Sequence, residues 1–141
     1  MKLTQDFFVR DGITVAKELL GKKLVNITPE GKTSGIICET EIYMGEEDKA
    51  CHCYGGKRTK RTQVLYKNGG LIYVYLIYGM HVCMNISANT QGIPHCILLR
   101  ALIPKENLQL MEKRRNTQNK KALCSGPAKL TQAMGIDLSY Y

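Results

Sequence analysis

The stretch from Tyr73 to Asn85, YVYLIYGMHVCMN, reads as two strands that meet at a Tyr78-Gly79 tip. Strands hide aromatics on a buried face, so a large aromatic where the chain reverses needs its own explanation. Two readings are open. In one, the ribbon folds back and Tyr78 packs on the body of the protein. In the other, Tyr78, with Met80 beside it, is a wedge. Proteins that enter the minor groove of DNA push apolar side chains between base steps, and a two-stranded ribbon is narrow enough to carry one there.

The surrounding composition favours a polyanionic partner. The chain has 141 residues, 20 Lys and Arg against 12 Asp and Glu, and a net charge of +8. That excess acts as a field for polyanions. The loop just before the ribbon, GGKRTKRTQ, concentrates Lys57, Arg58, Lys60 and Arg61, and Lys67 follows. Such a loop suits phosphates, although a basic run is also an ordinary solvated surface. At 44% apolar residues, a packed single domain is expected, spanning residues 1–141. No apolar run reaches the ~20 residues of a membrane span, and the N-terminus lacks a signal-peptide core. The expected setting is the cytoplasm, at the nucleoid in a bacterium, with no membrane partner.

Six cysteines, at 38, 51, 53, 83, 96 and 124, allow two further readings. A zinc site would use Cys51-His52-Cys53 and His95-Cys96, but the usual C-x2-C pairing is absent. Reduced cysteines serving as small core residues are the better expectation, with no metal and no cofactor.

Hydrophobic periodicity predicts a helix over Ile13–Leu20 ending at Gly21, and a strand over Lys23–Thr28 closed by Pro29-Glu30-Gly31. A second strand is predicted over Gly35–Met44, with Ile36, Cys38, Thr40 and Ile42 on one face and Ile37, Glu39, Glu41 and Tyr43 on the other. After one helical turn at Glu46–Cys51, the polar loop Tyr54–Asn68 leads into the hairpin Leu71–Ser87. A strand then runs over His95–Ile103 between Pro94 and Pro104, and a helix over Glu106–Arg115. A last helix has Ser125 as N-cap and Pro127 in its first turn. Short links between strands make the sheet largely antiparallel.

Two features resist a plain core reading. Arg100, inside CILLRAL, has apolar neighbours on both sides and needs either solvent at a sheet edge or an anionic partner. The Glu39, Glu41, Tyr43 face is either a wet sheet face or the wall of a cleft where a carboxylate deprotonates water. Arg100 is a plausible counter-ion for one of these carboxylates, keeping it ionised. A wedge, a basic clamp and a water-activating carboxylate together describe an enzyme that takes a base out of a duplex.

The blocks ETEIYMGEEDKACH, YVYLIYGMHVCMNIS, LLRAL and LCSGPAKL resemble the alkyladenine (3-methyladenine) DNA glycosylase family, in the family's order and at nearly its spacings, from about Phe7 to the end. The resemblance implies an α+β single domain, a curved antiparallel sheet flanked by helices with a protruding β-hairpin. It implies hydrolysis of the N-glycosidic bond of damaged purines in double-stranded DNA, without metal or organic cofactor; a monomer is expected. By resemblance, Glu41 is the general base and Arg100 helps hold the water. Tyr43, His52, Tyr75 and Asn85 form the base pocket, and Tyr78 is the wedge with Met80 beside it. Lys57, Thr59 and Leu65 of the matching loop and Lys129 of the G-P-x-K block contact the DNA, and the basic loop itself adds Lys60 and Arg61 as expected backbone contacts. His81 stands where an aromatic often follows Met, and Cys53 where a small residue is usual. Family members also carry a segment after the G-P-x-K helix that completes the hold on the water; this chain stops at Tyr141, so an incomplete site is expected. The competing expectation is a non-catalytic protein that binds lesions with the same wedge.

Overall fold

The computed structural model describes residues 1–140. Five strands, β1 (Lys23–Thr28), β2 (Gly31–Tyr43), β3 (Ile72–Ile77), β4 (His81–Ala88) and β5 (His95–Glu106), form one curled antiparallel sheet in the order β1-β2-β5-β4-β3. Four helices, α1 (Gln5–Phe8), α2 (Gly12–Leu19), α3 (Leu108–Arg115) and α4 (Pro127–Met134), complete a single α+β unit. Tight turns make β1–β2 and β3–β4 neighbours, as short connections require. The long connection between β2 and β3 does not extend the sheet. It crosses one sheet face as short 3₁₀ turns at Gly45–Glu47, Tyr54–Gly56 and Thr62–Tyr66.

The sheet therefore has two packed faces. On one, Ile37, Val74, Met84, Ile97, Leu99 and Leu102 bury against Val15 and Leu19 of α2, Met111 of α3, and Leu130 and Met134 of α4. Full burial of a side chain of this size stabilises by about 1.5–3 kcal/mol. On the other, a smaller cluster of Cys51, Cys53, Leu65, Tyr66, Tyr73 and Cys96 forms where the β2–β3 connection lies across β3, β4 and β5.

Several sequence boundaries shift. β2 begins at Gly31 rather than Gly35, because the turn at Pro29-Glu30 pairs Thr28 directly with Gly31. β5 runs through Pro104 to Glu106. The proline sits opposite Gly35, beside a register slip between Ser34 and Gly35, where a missing N–H is tolerated. Gly126, not Ser125, is the N-cap of α4; its extended backbone leads into Pro127 with no side-chain cap. The basic run ending α3 is structural in part. Arg114, its side chain only 8% exposed, reaches Glu30 Oε1, Thr28 Oγ1 and the Ala133 carbonyl, and Arg115 bonds the Ala122 and Leu123 carbonyls.

The hairpin turn is made by Tyr78 at φ 53° and Gly79 at φ 70°, with the Met80 N–H donating to the Ile77 carbonyl at 3.3 Å. Glycine takes this left-handed conformation freely, whereas tyrosine rarely does. Tyr78 is 88% exposed. The ribbon does not fold back; it projects.

The start of α2 depends on a buried histidine. Asp11 caps it by accepting from Thr14 N–H at 3.2 Å, and His95 Nδ1 accepts from Gly12 N–H at 3.2 Å. Burial holds the His95 pKa below its ordinary value, although the negative charges of Asp11 and of the Cys51 sulfur pull it upward. In the unfolded chain a histidine protonates near pH 6.5. The folded state resists that proton, so stability present above pH ~6.5 is lost as pH falls below it. Thermal melts between pH 7.5 and 5.5 are expected to show a falling melting temperature, with a smaller slope in His95→Gln. An unchanged slope in that variant would locate the titrating group elsewhere.

Candidate active site

The site begins with two irregularities that cancel. In β2 the register slips by one residue between Ile37 and Glu39; in β5 it slips between Ala101 and Leu99. Cys38 and Arg100 are the extra residues, and pairing resumes at Thr40 opposite Leu99. A bulge re-aims side chains. Here the doubled bulge breaks the simple alternation of β2. Ile37 and Ile42 both pack in the helical core, and Thr40 Oγ1 donates to the Ala16 carbonyl of α2 at 3.1 Å. Ile37 therefore does not share a face with Glu39, Glu41 and Tyr43, as strict period-two reading expects. Freed from the apolar row, Arg100 points at the carboxylates. Its Nε donates to Glu39 Oε1 at 3.0 Å and its Nη1 to Glu41 Oε2 at 3.0 Å. Tyr43 donates its hydroxyl to the other oxygen, Glu41 Oε1.

Beside this group lies a cavity of about 70 Å³ lined by Tyr43, Ala50, His52, Tyr73, Tyr75, Asn85 and Cys96. Each strand supplies residues by parity. Tyr43 is opposite Cys96, Tyr73 is opposite Asn85, and Tyr75 lies two residues beyond Tyr73 on the same strand face. His52 comes from the β2–β3 connection. Its Nδ1 is 2.8 Å from the Tyr73 hydroxyl, and its ring meets Tyr75 edge-on at 4.6 Å between centroids. Burial, with Arg61 nearby, lowers the His52 pKa, which keeps the imidazole neutral. Burial also pushes the phenols of Tyr43, Tyr73 and Tyr75 well above their ordinary value, so they remain donors. Asn85, 1% exposed, is steadied by donating Nδ2 to the Tyr73 carbonyl at 3.4 Å.

All four expected pocket residues thus line one cleft, and Glu41 adjoins it through Tyr43. Tyr73 is a pocket residue that the sequence reading passed over. The signal was present, since Y-V-Y places its two tyrosines on the same strand face. Lys57, Thr59, Lys60 and Arg61 lie exposed on the connection. Thr59 and Thr62 exchange backbone and hydroxyl hydrogen bonds at 2.9 and 3.1 Å, which fixes the loop. Arg58 covers the Tyr66 ring at 3.9 Å, and Arg61 lies 6.0 Å from the centroid of Tyr75, at the cleft. Leu65 is a correction. It is fully buried in the smaller cluster, where its side chain anchors the loop rather than reaching a DNA backbone. Lys129 is exposed on α4, on the helical side of the sheet; the same helix meets the hairpin through Thr131 Oγ1, which donates to the Val82 carbonyl at 2.8 Å.

The cysteines form no disulfide among the described residues. Cys51, Cys53 and Cys96 pack together beneath the cleft. Hydrogen bonds from Cys53 and Cys96 hold the Cys51 thiol low; the contact with Cys51, together with burial, pushes Cys53 and Cys96 up. No group of three or more His, Cys, Asp or Glu among the described residues is arranged to hold a metal ion. No helix among them is long and apolar enough to cross a membrane.

The sequence matches the profile of the family described as Methylpurine-DNA glycosylase (MPG) over residues 6–141. It is 50% identical over 142 residues to a protein of Natranaerobius thermophilus named "Putative 3-methyladenine DNA glycosylase", covering 99% of this chain and 71% of that protein. It is 47% identical over 145 residues to a protein of the same name from Clostridium botulinum strain Hall, covering 97% of this chain and 71% of the relative.

The Arg100 ion pairs are half exposed, with side-chain exposures of 36% for Arg100, 59% for Glu39 and 42% for Glu41. Solvent screening leaves such pairs worth about 0–1 kcal/mol. Arg100→Gln is therefore expected to cost no more than about 1 kcal/mol in urea denaturation. A loss of several kcal/mol would show that Arg100 serves the fold rather than the site.

Proposed function

The chain belongs to the methylpurine-DNA glycosylase family, whose members hydrolyse N-glycosyl bonds in DNA repair, and on that basis we propose that it flips damaged purines out of the duplex and releases them with a water activated by Glu41. The observation that carries this reading is the placement of a carboxylate, clamped by Arg100, at the rim of an aromatic cleft.

The steps follow from the residues. Lys57 and Lys60 neutralise phosphates without regard to sequence, each contact adding about −0.9 to the slope of log affinity against log salt. Tyr78 enters the stack from the projecting tip and fills the gap left by the flipped base. The purine lies between Tyr43, His52 and Tyr75. N-alkylated purines such as 3-methyladenine and 7-methylguanine are cationic, and aromatic faces attract cations by roughly 0.5–2 kcal/mol. The depressed pKa of His52 supports this reading, because a neutral imidazole receives a cationic ring without repulsion. Asn85, held rigid by its neighbours, disfavours the 2-amino group of normal guanine by clash. Glu41 then takes a proton from water as the water oxygen bonds to C1′ of the sugar. The electron pair of the glycosidic bond leaves with the purine, which departs neutral if it was cationic. The carboxylate also favours the positive charge developing on the sugar. An abasic site remains.

Two variants test this. Glu41→Gln keeps the shape of the side chain and is expected to slow single-turnover excision of 7-methylguanine or hypoxanthine at least ~100-fold while lesion binding persists. Excision near the parent rate would remove Glu41 from the role. Parent protein that binds lesion DNA without releasing base would instead favour the non-catalytic lesion binder. Tyr78→Ser is expected to weaken binding to abasic or flipped sites by ~1–3 kcal/mol, and binding to intact duplex by less. Equal losses on both DNAs would make Tyr78 a structural residue.

A further inference from the structure

Beyond its ring, Tyr43 contributes a hydroxyl that no stacking role requires. That hydroxyl donates to Glu41 Oε1, while Arg100 Nη1 holds Glu41 Oε2 at 3.0 Å and Arg100 Nε is fixed by Glu39 Oε1 at 3.0 Å. A carboxylate on a strand has freedom about each of its side-chain bonds, and one donor on one oxygen leaves it free to pivot. Donors on both oxygens remove that freedom. An ionised carboxylate accepts at about four lone-pair sites, so both contacts leave acceptor capacity for a water. We propose that Tyr43 is the positioning residue for the general base: its hydroxyl and Arg100 together lock the Glu41 carboxylate in the orientation that receives the nucleophilic water. This rests on the reading of Glu41 as the base.

Three observations carry the inference. The doubled bulge in β2 and β5 brings Arg100 to the carboxylates while leaving Glu41 and Tyr43 two residues apart on one strand face, the spacing at which side chains meet. Burial and the bond to Glu41 itself keep the phenol protonated, so the donor is present throughout the working pH range. Tyr43 also lines the cleft, packed against the cluster of Tyr73, Cys96 and Cys53. Its ring is therefore braced by the pocket that a purine would occupy, and its hydroxyl carries that bracing to the base. One side chain thus joins the binding wall to the reacting carboxylate, and misplacement of a reacting group by ~1 Å costs about 100-fold in rate.

Tyr43→Phe keeps the ring and removes the donor. Lesion-DNA dissociation constant and single-turnover excision rate are measured for the parent, Tyr43→Phe, Glu41→Gln and the double variant. The expected result is a dissociation constant within about twofold of the parent, an excision rate lower by about 10-fold for the lost charge-assisted bond, and no further loss when Tyr43→Phe is added to Glu41→Gln, because the two act as one unit. An unchanged rate in Tyr43→Phe overturns the proposal. Weaker binding with an unchanged rate does so too, since it makes the hydroxyl part of the pocket alone. Losses that add in the double variant also overturn it, because the hydroxyl would then act on something other than Glu41. Should Tyr43→Phe fold poorly, Tyr43→Met, which fills the position with an apolar side chain and no O–H or N–H donor, replaces it, with excision rates read at saturating protein. If Glu41→Gln excises at the parent rate, the assignment of the base fails instead, and the Tyr43→Phe rate taken alone shows whether the hydroxyl matters.

Discussion

The guanidinium of Arg100, held between Glu39 and Glu41, is the interaction on which the site depends. A cation in the middle of an apolar strand is costly unless it leaves the apolar row and finds anions. The paired bulges of β2 and β5 do the first, and the two glutamates do the second. The same displacement returns Ile37, Thr40 and Ile42 to the helical core and leaves Glu41 and Tyr43 at the cleft. One irregularity thus serves packing on one face of the sheet and gathers Arg100, Glu39, Glu41 and Tyr43 on the other. Half exposure keeps the ion pairs weak as stabilisers, so their value lies in direction rather than energy.

The two sheet faces divide the remaining work. The helical face holds nearly all the fully buried aliphatic side chains and carries stability. The opposite face is covered by a connection that is mostly loop, and its small cluster mixes thiols, phenols and one leucine. Leu65 and Tyr66 pin that connection from beneath, and Thr59 and Thr62 brace it from above. The exposed lysines and arginines therefore sit on a loop of fixed shape. Binding to phosphates through such a loop costs less ordering entropy than binding through a free one. Arg61, near Tyr75, links the basic surface to the cleft directly. The net charge of +8 is not spread evenly in its effect, because Arg114 and Arg115 are absorbed by Glu30 and by backbone carbonyls of the helical side.

The hairpin completes the arrangement. Its base is tied into the sheet where residues 85–88 of β4 pair with residues 95–98 of β5, so the projecting tip is carried by a paired base. Tyr78 adopts a left-handed backbone that tyrosine seldom takes, and backbone strain of this kind gathers at functional sites. Tyr75, in the cleft, and Tyr78, at the tip, are three residues apart in sequence. The chain that lines the pocket is therefore the chain that reaches away from it.

Much of this was legible in the sequence. Periodicity places the hairpin, β1, α2 and α3 within a few residues, and Pro127 marks the start of α4, because apolar rows and Gly or Pro stops are local properties; the four-residue α1 is too short to show a period. The quoted blocks named Tyr43, His52, Tyr75 and Asn85, which the structure gathers around one cleft. The bulges were not legible. Period-two alternation looks the same whether or not a strand slips, and a slip exists only against a partner strand; period two therefore puts Ile37 on the wrong face. Leu65 differs from the sequence expectation for a related reason. A leucine in a basic loop looks exposed until the loop folds onto β3, and that contact is long-range. Local residue chemistry determined which elements form and which side chains could react. Only the tertiary pairing of β2 with β5 decided where Arg100 points, which oxygen of Glu41 each donor holds, and that a phenol of the pocket wall reaches the carboxylate, because those distances are set by two strands far apart in the chain.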